Sequence, residues 1–216
     1  MSKIRMCYTQ GDGVRFISHL DFMRTIARTF RRAELPVKYS SGFNPHMVMT
    51  IGLPLSVGTT SVCDCLDVEL TEDMPYDEIM RRVNECAPRA IEITHVKSAE
   101  GEKPLYQIDS AEYNAKFVTS RPVDLGEYIA APQVMIEKKS KRKVNEVNIK
   151  DFIRKIEVEK SDGINHEILM HINAGNFSNL KPELVLKSMS AFYDCEISGI
   201  DIERRVIYFD DMTRVF

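Results

Sequence analysis

The chain has 216 residues, a formal net charge of -3 and 44% hydrophobic residues. That length and apolar content can bury a core, either as one large domain or as two of about 100 residues each. The near-neutral balance excludes a chain whose overall charge recruits nucleic acid or an anionic surface, and leaves only local clusters for such work.

From the N-terminus, residues 3–9 ("KIRMCYT") read as an edge-like strand with Ile4, Met6 and Tyr8 on one face. "QGDG" (10–13) supplies a turn. A helix is expected from Ser18, an N-cap with Asp21 three residues on as its capping-box partner. Leu20, Met23, Ile26, Ala27 and Phe30 recur at helical spacing as its buried stripe. The helix should stop at "LPV" (35–37), because the residue before Pro36 is pushed out of the α region.

Residues 47–55 ("MVMTIGLPL") read as core strand followed by a proline break. "VCDCLDVEL" (62–70) alternates, with Val62, Leu66, Val68 and Leu70 on one face. A helix over 76–87 and a strand over 90–99 complete a β-α-β-β-α-β order.

The polar stretch around 101–107 marks a linker. Beyond it the order repeats loosely. A strand is expected at 112–119, a short helix at 124–131 and a strand at 133–139. Residues 140–153 form a basic excursion. A hairpin follows at 155–160 and 166–174, then a helix at 181–193 with Pro182 at N1, and a closing strand at 201–209. The expected class is α+β: two ferredoxin-like (βαββαβ-type) halves with antiparallel sheets, residues 1–100 and 108–216.

Five cysteines, Cys7, Cys63, Cys65, Cys86 and Cys195, together with 11 methionines and no signal-like segment, point to a reducing cytoplasm. No run approaches 18 apolar residues, so no membrane-spanning helix and no membrane partner are expected. Cys63 and Cys65 share a strand face without further ligands at metal-binding spacing. Nucleotide-phosphate loops are absent too, so neither metal nor cofactor is expected.

"SGFNPH" (41–46) concentrates unusual chemistry. Gly42 permits positive φ, and Pro45 restricts itself and Asn44. Phe43 and Asn44 can stack on and hydrogen-bond a base, and His46 can donate to phosphate or act as acid or base. A hairpin with internal Asx hydrogen bonds explains the segment equally. Arg24, Arg28, Arg31 and Arg32, with Arg15 before and Lys38 after, make a basic helix patch: a solvated face or a phosphate surface. In the second half, Lys141 and Arg142 lie in the basic run "EKKSKRK", and Lys181 follows a Gly/Asn-rich segment at a helix N-terminus that could hold an anion.

Residues 15–61 carry a family resemblance in "RFISHLD", "RRAELPV", "YSSGFNPH" and "LPLSVG", supported by "CLDVEL" (65–70) and "NLKPELVL" (179–186). The sequence resembles the radical-SAM-linked domain of unknown function, departing at Met47, where a second proline is expected. The resemblance implies a chain fused to, or encoded beside, a cobalamin-binding radical-SAM protein, near genes for an E/G-type ribonuclease and ribosomal proteins. It implies no reaction and no roles for Arg15, His19, Asp21, Asn44 or His46. The element order is also similar to RAMP-type CRISPR RNA-binding proteins, a fold-level analogy.

The expected function is therefore a non-catalytic RNA-binding or substrate-presenting partner of a radical-SAM enzyme, in rRNA or tRNA modification or processing. Two alternatives stand beside it. One is a metal-independent endoribonuclease using His46 or His19. The other is a module that only binds protein.

Overall fold

The computed structural model describes residues 2–139 and 144–216. The chain is mixed α+β with mostly antiparallel sheet. It divides into two compact units, Met1–Ile108 with Val206–Phe216, and Asp109–Arg205.

In the first unit, β1 (Ser2–Gln10), α1 (His19–Arg32), β2 (Met49–Ile51), β3 (Thr59–Leu70), α2 (Tyr76–Cys86) and β4 (Ile91–Ser98) follow in order. β1 pairs antiparallel with both β3 and β4, and β2 pairs antiparallel with β3. The core joins Ile4, Met6 and Tyr8 of β1 to Leu66, Val68 and Leu70 of β3, with Phe22, Ile26 and Phe30 of α1 and Ile79 and Val83 of α2.

β1 is therefore a central strand of its unit rather than the edge-like strand expected. Arg5 is fully buried because its guanidinium forks onto Asp67, with Nε 2.7 Å from Oδ1 and Nη2 3.1 Å from Oδ2. Nη2 also donates to the Lys103 carbonyl at 2.8 Å, and Phe209 packs against the guanidinium carbon. A charge so deep persists only when paired and hydrogen-bonded. On the same strand pair, the buried Asp64 accepts from Ser61 at 2.6 Å and from Gln10.

α1 begins as its sequence dictates, with Ser18 Oγ accepting the Asp21 N–H at 3.2 Å and donating to the Asp21 carboxylate at 2.8 Å. It ends at Arg32, before Pro36 can act, because Glu34 turns left-handed at φ 52° and the Leu35 N–H reaches back to the Phe30 carbonyl. Leu20 departs from the expected stripe at 66% exposed, and Phe22 occupies the core instead. Val62 is likewise exposed, because Thr59 and Ser61 take the buried face at the start of β3 and the register shifts between the Gln10–Ser61 and Tyr8–Asp64 pairs. The expected core strand over 47–55 shrinks to the half-buried β2.

The second unit holds β5 (Ile108–Thr119), α3 (Leu125–Ala130), β6 (Met135–Lys139), β7 (Val144–Asn148), β8 (Ile153–Ser161), β9 (Asn165–Asn173), α4 (Pro182–Tyr193) and most of β10 (Ile197–Phe209). β9 lies between β5 and β8, antiparallel to both, and β10 neighbours β5. Tyr113, Ala115 and Phe117 of β5 and Ile168, Met170 and Ile172 of β9 are buried by strict alternation. β6 and β7 form a separate hairpin, so the expected basic excursion over 140–153 contains an unexpected strand.

Candidate functional site

The first unit carries a hairpin arm at one end of its sheet. Val37 bridges to Leu70, the last residue of β3, and Tyr39 bridges to Met47 across the arm. The Val48 N–H donates to Lys38, and the Glu69 N–H donates to Val48. Met47 is buried at the base of the arm. Residues 41–46 form its tip, and all six are exposed.

The tip is held from inside. The Ser40 N–H donates to the His46 carbonyl at 2.8 Å, and Ser40 Oγ accepts the His46 N–H at 3.1 Å. The same hydroxyl lies 2.9 Å from His46 Nδ1. Gly42 adopts φ +126°, which L side chains rarely reach, although a Cβ there would meet nothing within 4 Å. Conformation, not crowding, requires glycine at this position. The result is Phe43 standing fully exposed on a closed loop, beside Asn44 and an imidazole whose Nε2 faces away from its Ser40 bond.

The basic residues separate by what they touch. Arg15 donates to the Gly58 carbonyl through Nη2 at 2.7 Å and pairs with Asp12 at 2.9 Å, which makes it a structural clasp at the start of β3. Arg24 pairs with Asp21 at 3.0 Å, and together with Ser18 it holds the Asp21 carboxyl below the usual carboxylate range. Arg32 donates to the Cys86 carbonyl at the end of α2. Lys38 pairs with Glu69 at 2.6 Å. Among the described residues, only Arg28 and Arg31 of the predicted helix cations lack such a partner, and both are exposed. They sit three apart, hence on one face of α1. They also lie in the half of the helix that leads into the hairpin arm.

Arg15 stands apart from the hairpin tip: it adjoins the first residues of β3 through Gly58, whereas the arm springs from its last residues. β3 has 12 residues, about 40 Å of strand at about 3.3 Å each. His19 is the first residue of α1, and His46 is hydrogen-bonded to Ser40 and not to His19. The partner that sequence reasoning missed is Ser40, which carries no signal of its own beyond lying six residues before His46.

In the second unit, Lys181 is the exposed N-cap residue of α4. Lys141 and Arg142 lie outside the described residues. The Gly/Asn-rich segment before Lys181 presents Phe177, 89% exposed, which sequence reading did not single out. An aromatic flanked by asparagine and serine, with no apolar neighbour in sequence, is the signal that could have found it.

Among the described residues, no group of three or more His, Cys, Asp or Glu stands together to hold a metal, and all five cysteines are free. No helix there is long and apolar enough to cross a membrane.

Residues 3–182 match the family model described as "Uncharacterized protein conserved in bacteria (DUF2344)". No curated protein matches the chain. Among solved structures, a chain of the "Crystal Structure of a Cbf5-Nop10-Gar1 Complex" is similar at 12% identity and a TM-score of 0.45, over 94% of this chain and 47% of that one. The chain thus spans about half the length of that relative. The "Unknown Protein from Galdieria sulphuraria" is similar at 11% identity and a TM-score of 0.28, over 94% of this chain and 98% of that one.

Proposed function

We propose, for a chain that belongs to the DUF2344 family, the role of a non-catalytic RNA-binding or substrate-presenting partner of a radical-SAM enzyme. The observation that carries the reading is Phe43, fully exposed on a loop closed by Ser40 and His46 at the end of the sheet where α1 leads in with Arg28 and Arg31. An isolated, pre-positioned ring beside an amide suits a base, and exposed cations without a hydrogen-bonded protein partner suit phosphates.

A binding role is favoured over an endoribonuclease by the surroundings of His46. Its bonded partner is a hydroxyl rather than a carboxylate or second imidazole. The strand order β4-β1-β3 with β2 outside, and β10-β5-β9 with β8 outside, supports two ferredoxin-like halves joined near residues 101–107.

The test is the affinity of a labelled single-stranded RNA across a salt series, for wild type and an Arg28→Ala/Arg31→Ala variant. Wild type should bind with a steep salt slope, and the variant should lose about 1.4 from that slope, about 0.7 per phosphate contact. Equal slopes would sink the RNA surface. The partner is tested separately: a cobalamin-binding radical-SAM protein should copurify with the tagged chain, and its absence would remove that part.

A further inference from the structure

The second unit presents its own closed loop with an exposed ring. Ala174 bridges to Asn179, the Leu180 N–H donates to the Asn173 carbonyl at 2.8 Å, and Asn173 Nδ2 donates to Ser178 Oγ at 3.0 Å. Phe177 stands at the tip, as Phe43 does in the first unit. Each ring follows a glycine closely, Gly42 before Phe43 and Gly175 two residues before Phe177; the first loop lies between α1 and β2, and the second directly follows β9.

This loop also borders a groove of about 260 Å³. Its walls are apolar, with Val147 and Phe152 among the residues on one side and Leu184 on the other, while Asn179 and Lys181 supply an amide and a cation. Among the described residues neither the Asn179 nor the Lys181 side chain is engaged by a protein group. The volume falls just below the roughly 300–1,000 Å³ of drug-sized pockets, so it fits one small planar group. Apolar walls that include one aromatic ring, Phe152, with one amide and one cation at the start of a helix, match a base, its edge and its phosphate.

We propose that this groove is a second nucleotide site, which takes an unpaired nucleotide of an RNA strand. The base lies between Phe152 and Leu184 with its edge on Asn179. Its phosphate lies on Lys181, and Phe177 stacks on the neighbouring base. The assignment rests on the RNA-binding reading above but uses none of the same residues.

The experiment is a titration of the full chain with a fluorescein-labelled, adenine-rich single-stranded RNA of about ten nucleotides, a site size within the range of single-strand binders. AMP serves as a competitor. Phe177→Ala should weaken binding about 5- to 150-fold, and Phe177→Tyr should restore it. Because Phe177 is 89% exposed, its truncation should leave the circular dichroism spectrum unchanged. Wild-type affinity in Phe177→Ala and Lys181→Ala, with Phe43→Ala still weakened, would overturn this site and leave the first. AMP binding as tightly as the strand would assign the groove to a free nucleotide and overturn the strand. A wild type that binds no RNA would overturn both readings and leave Phe177 as a protein contact.

Discussion

Ser40 Oγ lies 2.9 Å from His46 Nδ1 while accepting the His46 backbone N–H. The hydroxyl keeps a second lone pair and its own hydrogen for the ring, so either neutral tautomer fits this distance. A donor role for His46 requires the tautomer with the proton on Nε2, directed outward. Nitrogen NMR of the neutral ring should report the Nε2–H tautomer in wild type and a mixture in Ser40→Ala. Losing the clamp should cost about 0.5–1.5 kcal/mol, read as a few-fold drop in RNA affinity. A wild type with Nδ1–H would remove the donor role from His46.

Arg5 and Asp67 form the deepest charge pair described in the first unit, at 0% and 2% exposure. Asp67→Ala leaves the buried guanidinium with only the more distant Glu102 carboxylate, 3.9 Å from Nη1, and should cost about 3 kcal/mol in urea unfolding. Replacing both partners by Met and Leu should recover most of that loss. A mild single-variant effect would mean that water reaches Arg5 once Asp67 is gone.

Local chemistry was legible in the sequence wherever neighbours in sequence decide the outcome. Ser18 and Asp21 announce the start of α1, and the alternation in β9 announces a half-buried strand. Position along the sheet was not legible, because the pairing that makes β1 central joins Arg5 to Asp67 across 62 residues. β7 was hidden by basic residues that read as loop. At the candidate site, sequence gave the residue types of the tip. It could not give the Ser40 clamp or the use of Arg15, Arg24, Arg32 and Lys38 within the protein.

His166 should give the protein an acid-sensitive component of stability. It is buried against Phe117, with Thr119 Oγ1 3.1 Å from Nε2 and Ser161 Oγ 3.0 Å from Nδ1. Burial lowers its pKa below the ordinary 6.5, opposed by the nearby Asp162 carboxylate. The folded state therefore binds its proton later than the unfolded state does. The stabilisation is complete above about pH 6.5 and is lost as pH falls through the lower folded value. Melting temperature followed from pH 8 to 5 should fall in wild type and fall less in His166→Gln. Parallel curves would show that other groups set the acid limit.

Ser18→Ala removes the hydroxyl that caps α1 and should cost about 1 kcal/mol in thermal or urea unfolding. Ser18→Thr should retain most of the stability, since its hydroxyl can accept the same N–H and donate to Asp21. Equal stability of all three proteins would mean that tertiary packing alone fixes the helix start.

The central claim is that the Phe43 loop and the Arg28–Arg31 face bind single-stranded RNA together. Its most direct test is the affinity of a labelled RNA strand for wild type and for a Phe43→Ala/Arg28→Ala/Arg31→Ala variant, at about 50 and 200 mM salt. The expected result is wild-type binding that weakens steeply with salt, and a variant at least tenfold weaker at the lower salt with a shallower slope. Identical affinity and slope, with both proteins folded, would contradict the account.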